Sequence, residues 1–352
     1  MDELLRTRTP MDGQVESDDR PALPLGRLAV GIILNPNHPA TLRAYADLVP
    51  ELRQAGAHCR SMTTSVERSG RWQAEQLIEW GAETVIILGG DGTIRSSAPV
   101  LAEAGTLTFL IPTGTANVLS RHIGLRSIRH AIDHCVHTVA SIIRGGPRNS
   151  RGVPINTAEF QRADGSRHRA EFISLAGIGG DARAIAHHHS APGLLGYAWG
   201  AARALFAANF TASTADTLTS GDTSRTGDTS GEESSASVPV WSVMASKVAR
   251  PAGPIAVFPQ ARIDAETFSM LTVGPLPERL STRCRAWAGI AAACLQGRPQ
   301  AHPLMNYRNT TETTVSVESP TPAHLDGDLI GDCLDLRVNA GDKSLLVSAP
   351  TT

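Results

Sequence analysis

The run Val85-Ile86-Ile87-Leu88 passes without a polar residue into Gly89-Gly90-Asp91-Gly92-Thr93. A short, β-branched, wholly apolar segment suits a strand buried on both faces, as in a parallel sheet. The glycines that follow let the backbone approach a ligand closely. A helix starting there turns its unpaired N–H groups and positive end toward phosphate. In open α/β sheets, such turns stand at the carboxyl ends of strands, where ligands bind. Asp91 is then placed for a phosphate-bound Mg2+, and Thr93 for a helix cap or a phosphate contact. The competing reading is a tight strand–helix turn with Asp91 as a cap. The segment is neither a Walker A loop, since no GK[ST] follows, nor a dinucleotide GxGxxG.

Around this turn, strand and helix signals alternate. Leu28–Leu34 reads as a strand and Ala40–Gln54 as a helix, with Leu42, Tyr45, Leu48 and Leu52 at helical spacing before Gly56. His58–Met62 reads as a strand, and Trp72–Trp80 as a helix stopped by Gly81. Thr84–Leu88, a helix to Ala104, and a strand Leu107–Ile111 follow. The alternation predicts an α/β N-terminal domain with a parallel doubly wound sheet, over 27–135.

Beyond it the texture changes. Pro, Gly, Thr and Ser rise, and short β-rich runs recur at Glu171–Leu175, Val238–Ala245, Met270–Val273, Thr313–Val317, Leu334–Val338 and Leu345–Val347. These predict a mainly antiparallel β domain over 136–352, with a helical insertion around Leu194–Asn209. The tract 211–237 is nearly free of large apolar groups and is expected to be a disordered insertion. Residues 1–26 are polar and mixed in charge, and are expected to be a disordered leader rather than a secretory signal.

Composition excludes several classes. A net charge of -2 and 4% aromatic residues argue against a nucleic-acid partner. Five cysteines without a CxxC pair point to a reducing, cytoplasmic setting rather than a disulfide framework. No stretch reaches the ~20 apolar residues of a spanning helix, so a membrane would be met from one side. His130, His134 and His137 share a helix face, where a polar stripe outweighs a metal site.

A second turn, Ile111-Pro112-Thr113-Gly114-Thr115-Ala116-Asn117, follows the next strand. Two such turns after successive strands converge at one sheet edge. GGDGT followed by P-x-G-T-x-N resembles the diacylglycerol kinase catalytic-domain family, whose more distant relatives are NAD kinases and phosphofructokinases. The resemblance is strong over 83–125 and patchy from Leu28 to Val347. It implies an α/β domain facing an antiparallel β-sandwich, with the active site in the cleft. It implies ATP and Mg2+ as cofactors, and a lipid alcohol at a membrane surface as substrate. That fits peripheral attachment to the inner membrane face and leaves a homodimer open.

The resemblance also assigns residues. Asn35 with Pro36 matches the first nucleotide loop, and Thr63-Thr64 the threonine position after the second strand. Gly89, Gly90, Gly92, Thr93, Gly114, Thr115 and Asn117 would hold the nucleotide, with Asp91 acting through Mg2+. Gly177-Ile178-Gly179-Gly180-Asp181-Ala182, Gly196-Tyr197 and Pro259-Gln260-Ala261 resemble second-domain motifs. Asp326-Gly327-Asp328 falls at the family's D-G-E, which makes Asp328, or else Asp326, the base that takes the hydroxyl proton. Read alone, D-G is a hairpin-turn signal.

Four departures stand out. Asn37-His38-Pro39 alters the first loop, and Ser96 replaces a family Glu. Asp264 is left with Ala265-Glu266 where the family binds a structural Mg2+, and Asp328 is one methylene shorter than Glu. Ser96 and Ala265 motivate one alternative, a nucleotide- or lipid-binding protein without turnover; the wider superfamily that the resemblance implies offers a second, an NAD kinase-like enzyme acting on a soluble substrate.

Overall fold

The computed structural model describes residues 27–188, 206–217, 233–234, 236–251, 253 and 255–350. The expected leader 1–26, Gly196-Tyr197 and most of the Leu194–Asn209 insertion lie outside the described residues.

The first domain opens with β1 (Ala29–Leu34), α1 (Pro39–Gln54), β2 (His58–Thr63) and α2 (Arg71–Glu79). It continues with β3 (Thr84–Gly89), α3 (Asp91–Glu103), β4 (Leu107–Pro112), α4 (Val118–His122), α5 (Ile128–Ile143) and β5 (Arg151–Pro154). β1 and β3 are buried from end to end, as their unbroken apolar runs require. β2, the polar HCRSMT, lies at the sheet edge and is half exposed. Gly56 and Gly81 end α1 and α2 with positive φ of 97° and 95°, a conformation that costs glycine nothing.

The second domain is antiparallel. Its elements are β6 (Asn156–Arg162), β7 (Arg167–Phe172), β8 (Leu175–Gly179), α6 (Gly180–His188), β9 (Phe210–Thr217) and β10 (Glu233–Ser234). Then come β11 (Val238–Val240), β12 (Ser242–Ser246), β13 (Phe268–Val273), α7 (Leu280–Leu295), β14 (Met305–Thr310), β15 (Glu312–Leu325) and β16 (Asp328–Asn339). The chain then crosses back as β17 (Ser344–Val347). Among the described residues, eleven strands of this domain hydrogen-bond into one sheet.

The first sheet runs β2-β1-β3-β4-β17-β5. From β1 the chain steps one way to β2 and then to the opposite side for β3. That reversal opens a crevice beyond the carboxyl ends of β1 and β3, the usual ligand position of such sheets.

Three expectations are corrected. Leu345–Val347 belongs to the first sheet: Val347 pairs in parallel with Thr108, and β17 is antiparallel to β5. An apolar run of this length has the same texture in either sheet, and only the topology separates them. The boundary at 135/136 cuts through α5, whose Val139 and Ile142 are buried in the first core. That domain therefore takes in α5, β5 and β17. Within the tract 211–237, residues 211–217 are ordered in β9, where Phe210 and Ala212 enter the second core and the strand pairs with β15. Residues 218–232 lie outside the described residues.

Because β17 fills the place between β4 and β5, Leu345 is fully buried. Leu345→Ala is expected to lower the unfolding free energy by about 2–5 kcal/mol. Leu329→Ala, at a side chain left well exposed, should change it little; urea denaturation of both variants checks this.

Candidate active site

The two glycine turns touch. A Cβ placed on Gly114 would lie 2.5 Å from the Gly90 Cα, and one on Gly90 would lie 3.2 Å from the Gly114 Cα. Thr113 N–H donates to the Gly89 carbonyl at 3.2 Å. The second turn is closed by Asn117, left-handed at φ 46°, whose Oδ1 accepts from Gly114 N–H and whose amide donates to the Gly114 carbonyl. Behind them, Thr41 of α1 donates its hydroxyl to Thr113 at 2.7 Å.

Asp91 joins the turns electrostatically. It opens α3, yet its carboxylate reaches the head of α4. One oxygen accepts from Val118 N–H at 3.0 Å and the other from Leu119 N–H at 3.2 Å. The cap reading is therefore the one observed, on the next helix rather than its own. Burial pushes the Asp91 carboxyl above the usual carboxylate range; the two N–H donors oppose that shift and the nearby Asp326 adds to it.

The other expected nucleotide residues gather along the same edge. Asn35 donates its N–H to the Leu88 carbonyl, and its Oδ1 takes the N–H of Asn37. Thr64 is buried with its N–H on Leu34, while Thr63 is exposed and its carbonyl accepts from Gln73. Thr115 is exposed at the tip of the second turn. Thr93 is buried and folds back over Gly89, so its side chain packs within the turn instead of facing a phosphate. Gly92 is open: the nearest atom a Cβ there would meet is Asp328 Oδ2, at 3.7 Å.

That approach spans the cleft. Asp328, first residue of β16, leans over the first domain and pairs with Arg95 of α3. Arg95 also donates to the Leu325 carbonyl at 2.7 Å. A cleft of about 350 Å³ is lined here by Ser69, Gly92, Arg95 and Ser96 on one side and by Glu171, Leu325 and Asp328 on the other. The Asp328 side chain is 60% exposed in it. Arg95 was not singled out from sequence; its signal was a place one turn beyond Asp91, where a lone arginine reads as a solvated helix face.

Asp326 does different work. It is left-handed at φ 51°, and its carboxylate accepts from Ile173, Ser174 and Leu175 N–H and from the Ser174 hydroxyl, at 2.7–3.0 Å. It therefore ties the 326–328 turn to the break between β7 and β8, a break that the sequence reading of Glu171–Leu175 as one strand overlooks. With four donors in place, Asp326 is a positioning residue, and its expected role as an alternative base is corrected. Behind it, Gly327 N–H donates to His324 Nδ1, which leaves Nε2–H to donate to Asp181 at 2.8 Å. Asp181 also accepts from the Ser242 hydroxyl at 2.6 Å. The role of His324 had no sequence signal.

The Mg2+ expected at Asp264 does not fit. Burial would raise this carboxyl, but hydrogen bonds from Arg262 and Arg151 bring it down to about 2. The adjoining Ala265 carbonyl takes the Lys247 ammonium at 2.6 Å. Three protein cations hold this loop and repel a fourth. Among the described residues, no group of three or more His, Cys, Asp or Glu is arranged to hold a metal ion. At Asp91 each carboxylate oxygen accepts one backbone N–H.

With the geometry in place, residues 29–147 match the family model described as the diacylglycerol kinase catalytic domain. Both glycine turns fall within that match, so the resemblance read from the paired motifs holds for the domain that carries them. Similar folds occur in a structure described as a diacylglycerol kinase from Bacillus anthracis str. Sterne, at 14% identity and TM-score 0.59, covering 92% of this chain and 97% of that one. A second Bacillus anthracis structure, described as a candidate diacylglycerol kinase, shows 15% identity and TM-score 0.65, covering 92% and 95%. Yeast NADH kinase, complexed with NADH, shows 11% identity and TM-score 0.51, covering 92% and 84%. Identities this low establish the shared two-domain fold. No curated protein matches the sequence.

The close Gly90–Gly114 approach leaves no room for a methyl group. Gly114→Ala should cost about 1–3 kcal/mol of stability through forced backbone displacement. Gly92→Ala, with open space before it, should unfold at the wild-type urea midpoint. Asp326→Ala strands four donors and should destabilise more than either; a midpoint equal to wild type would remove its positioning role.

Proposed function

We propose that the protein transfers the γ-phosphoryl group of ATP to the hydroxyl of a lipid alcohol, diacylglycerol or a close relative. The observation that supports this best is Asp328 Oδ2 facing Gly92 across the cleft. A carboxylate from one domain stands over the glycine turn of the other, where an acceptor hydroxyl and a terminal phosphate would meet.

Phosphoryl transfer needs alignment, charge neutralisation and a proton acceptor. The first N–H groups of α3 have no intrahelical partner, and the open face at Gly92 lets phosphate oxygens approach them. The fixed Gly90–Gly114 contact keeps both turns in one arrangement. Asn35, Thr63, Thr64 and Thr115 line the edge for the rest of the nucleotide. Mg2+ would come with the nucleotide, keeping most of its water ligands and offsetting phosphate charge. Arg95 holds Asp328 in place and adds a positive charge beside the reacting phosphate. The acceptor oxygen bonds the γ-phosphorus as the bond to the β,γ-bridging oxygen breaks. The acceptor proton passes to the Asp328 carboxylate.

One observation favours the alternative of binding without turnover: Asp328 is engaged by Arg95. A Mg2+-dependent assay with ATP against detergent-dispersed diacylglycerol and NAD separates the readings. Phosphorylated lipid is expected. NADP would instead support a soluble-substrate kinase, and nucleotide affinity with neither product would support the binding protein. Asp328→Ala should lower lipid phosphorylation by about 10²–10⁴-fold. As an exposed ion-pair partner, its loss should change stability by under about 1 kcal/mol. Wild-type turnover in that variant would exclude the base role.

A further inference from the structure

α7 has an apolar flank that is exposed. Its inner face packs through Trp287, Ile290 and Cys294 against Trp241, Leu271 and Met305. At 100° per residue, Leu280, Cys284, Ala288, Ala291 and Leu295 fall in an arc of about 80° beside that face, and all five are exposed. Leu280 is 56% and Leu295 71% exposed. An exposed flank of a soluble helix normally carries charged or polar residues.

The charge around this stripe is mostly of one sign, the exception being Glu278, exposed just before Arg279. From Arg279 to Thr311 the chain holds five arginines and no Asp or Glu, although the whole protein carries a net charge of -2. Arg279 and Arg285 are exposed at the amino-terminal end of the helix, and neither makes an ion pair among the described residues. Phe206, 66% exposed, lies close by, since Arg283 bonds the Ala207 carbonyl.

We infer that α7 docks the protein on an anionic phospholipid bilayer, its apolar stripe entering the headgroup boundary and its arginines meeting lipid phosphates. The combination of exposed leucines, small side chains and unpaired arginines, with Glu278 as their one acidic neighbour along the sequence, is the chemistry of an interfacial helix. A second copy of the chain is a poorer occupant. Two-fold pairing through this face would set the same arginines against each other, more positive charge than Glu278 offsets. This inference rests on the lipid-substrate reading and gives it a surface. No helix among the described residues is long and apolar enough to cross a membrane, so the contact is one of surface attachment.

The test is co-sedimentation of the full chain with phosphatidylcholine vesicles, with and without phosphatidylglycerol, in the absence of ATP. Binding is expected only with the anionic lipid and should fall as salt rises. The variant combining Arg279→Glu, Arg285→Glu, Leu280→Ser and Leu295→Ser should bind roughly tenfold or more weakly, with an unchanged melting temperature. Equal binding by the variant, or no wild-type binding to anionic vesicles, overturns the inference. So does a wild-type dimer that this variant disperses, since it assigns the face to a second copy. Turnover of detergent-dispersed lipid without vesicle binding would defeat this inference alone. Vesicle binding without any turnover would defeat only the kinase reading.

Discussion

The carboxylate of Asp91 is the point on which the first domain's working edge depends. It leaves the head of one helix and neutralises the head of the next, accepting from Val118 and Leu119. A buried carboxylate is costly unless hydrogen-bonded. Bonds to a charged acceptor contribute about 1.5–3 kcal/mol each, and the helix end adds a favourable dipole. The two turns cannot separate without breaking these bonds, nor move closer, because the Gly90 and Gly114 backbones already touch. One acidic residue and two missing side chains thus set the spacing of the two turns.

The second domain repeats the device. Asp326 gathers three backbone N–H groups and one hydroxyl from 173–175, holding the turn that ends in Asp328. The chain Ser242–Asp181–His324–Gly327 supports that turn from behind. Burial raises the Asp91 carboxyl, and the charge of Asp326 nearby adds to that rise. Each is held by donors from its own domain. The cleft is consequently bounded by two rigid turns, and the contacts across it are made by longer, exposed side chains: Asp328 with Arg95, and Arg71 with Glu171 at 3.3 Å.

The sequence was most legible where burial leaves little choice. β1, β3 and β4 have no polar alternative, and the stop glycines after α1 and α2 fix the helix ends, so this stretch reads almost residue by residue. The failures share a cause, the dependence of identity on partners far along the chain. Ser344–Val347 has no local mark saying which sheet it joins. Phe210–Thr217 alternates as a strand should, but its serines and threonines resemble the low-complexity residues that follow. The paired glycine turns announced the site, while Arg95 and His324 acquire roles only when residues more than two hundred positions away arrive beside them or when a turn closes on them.

The sequence points to four carboxylates for chemistry at this cleft and its margin, and their surroundings divide that work. Asp264 is saturated by Arg151 and Arg262. Asp326 is held by three backbone N–H groups and a hydroxyl, and hydrogen bonds that favour the charged form oppose protonation. Asp91 takes two backbone N–H groups and is committed to the head of α4. Asp328 alone keeps a largely exposed side chain facing the cleft, held by a single arginine. A proton acceptor must be both positioned and reachable, and in this cleft the two requirements meet at that residue. The shorter side chain relative to Glu is compensated by its partner: Arg95 rises from α3 to meet it, drawing the carboxylate over Gly92 rather than leaving it free in the cleft.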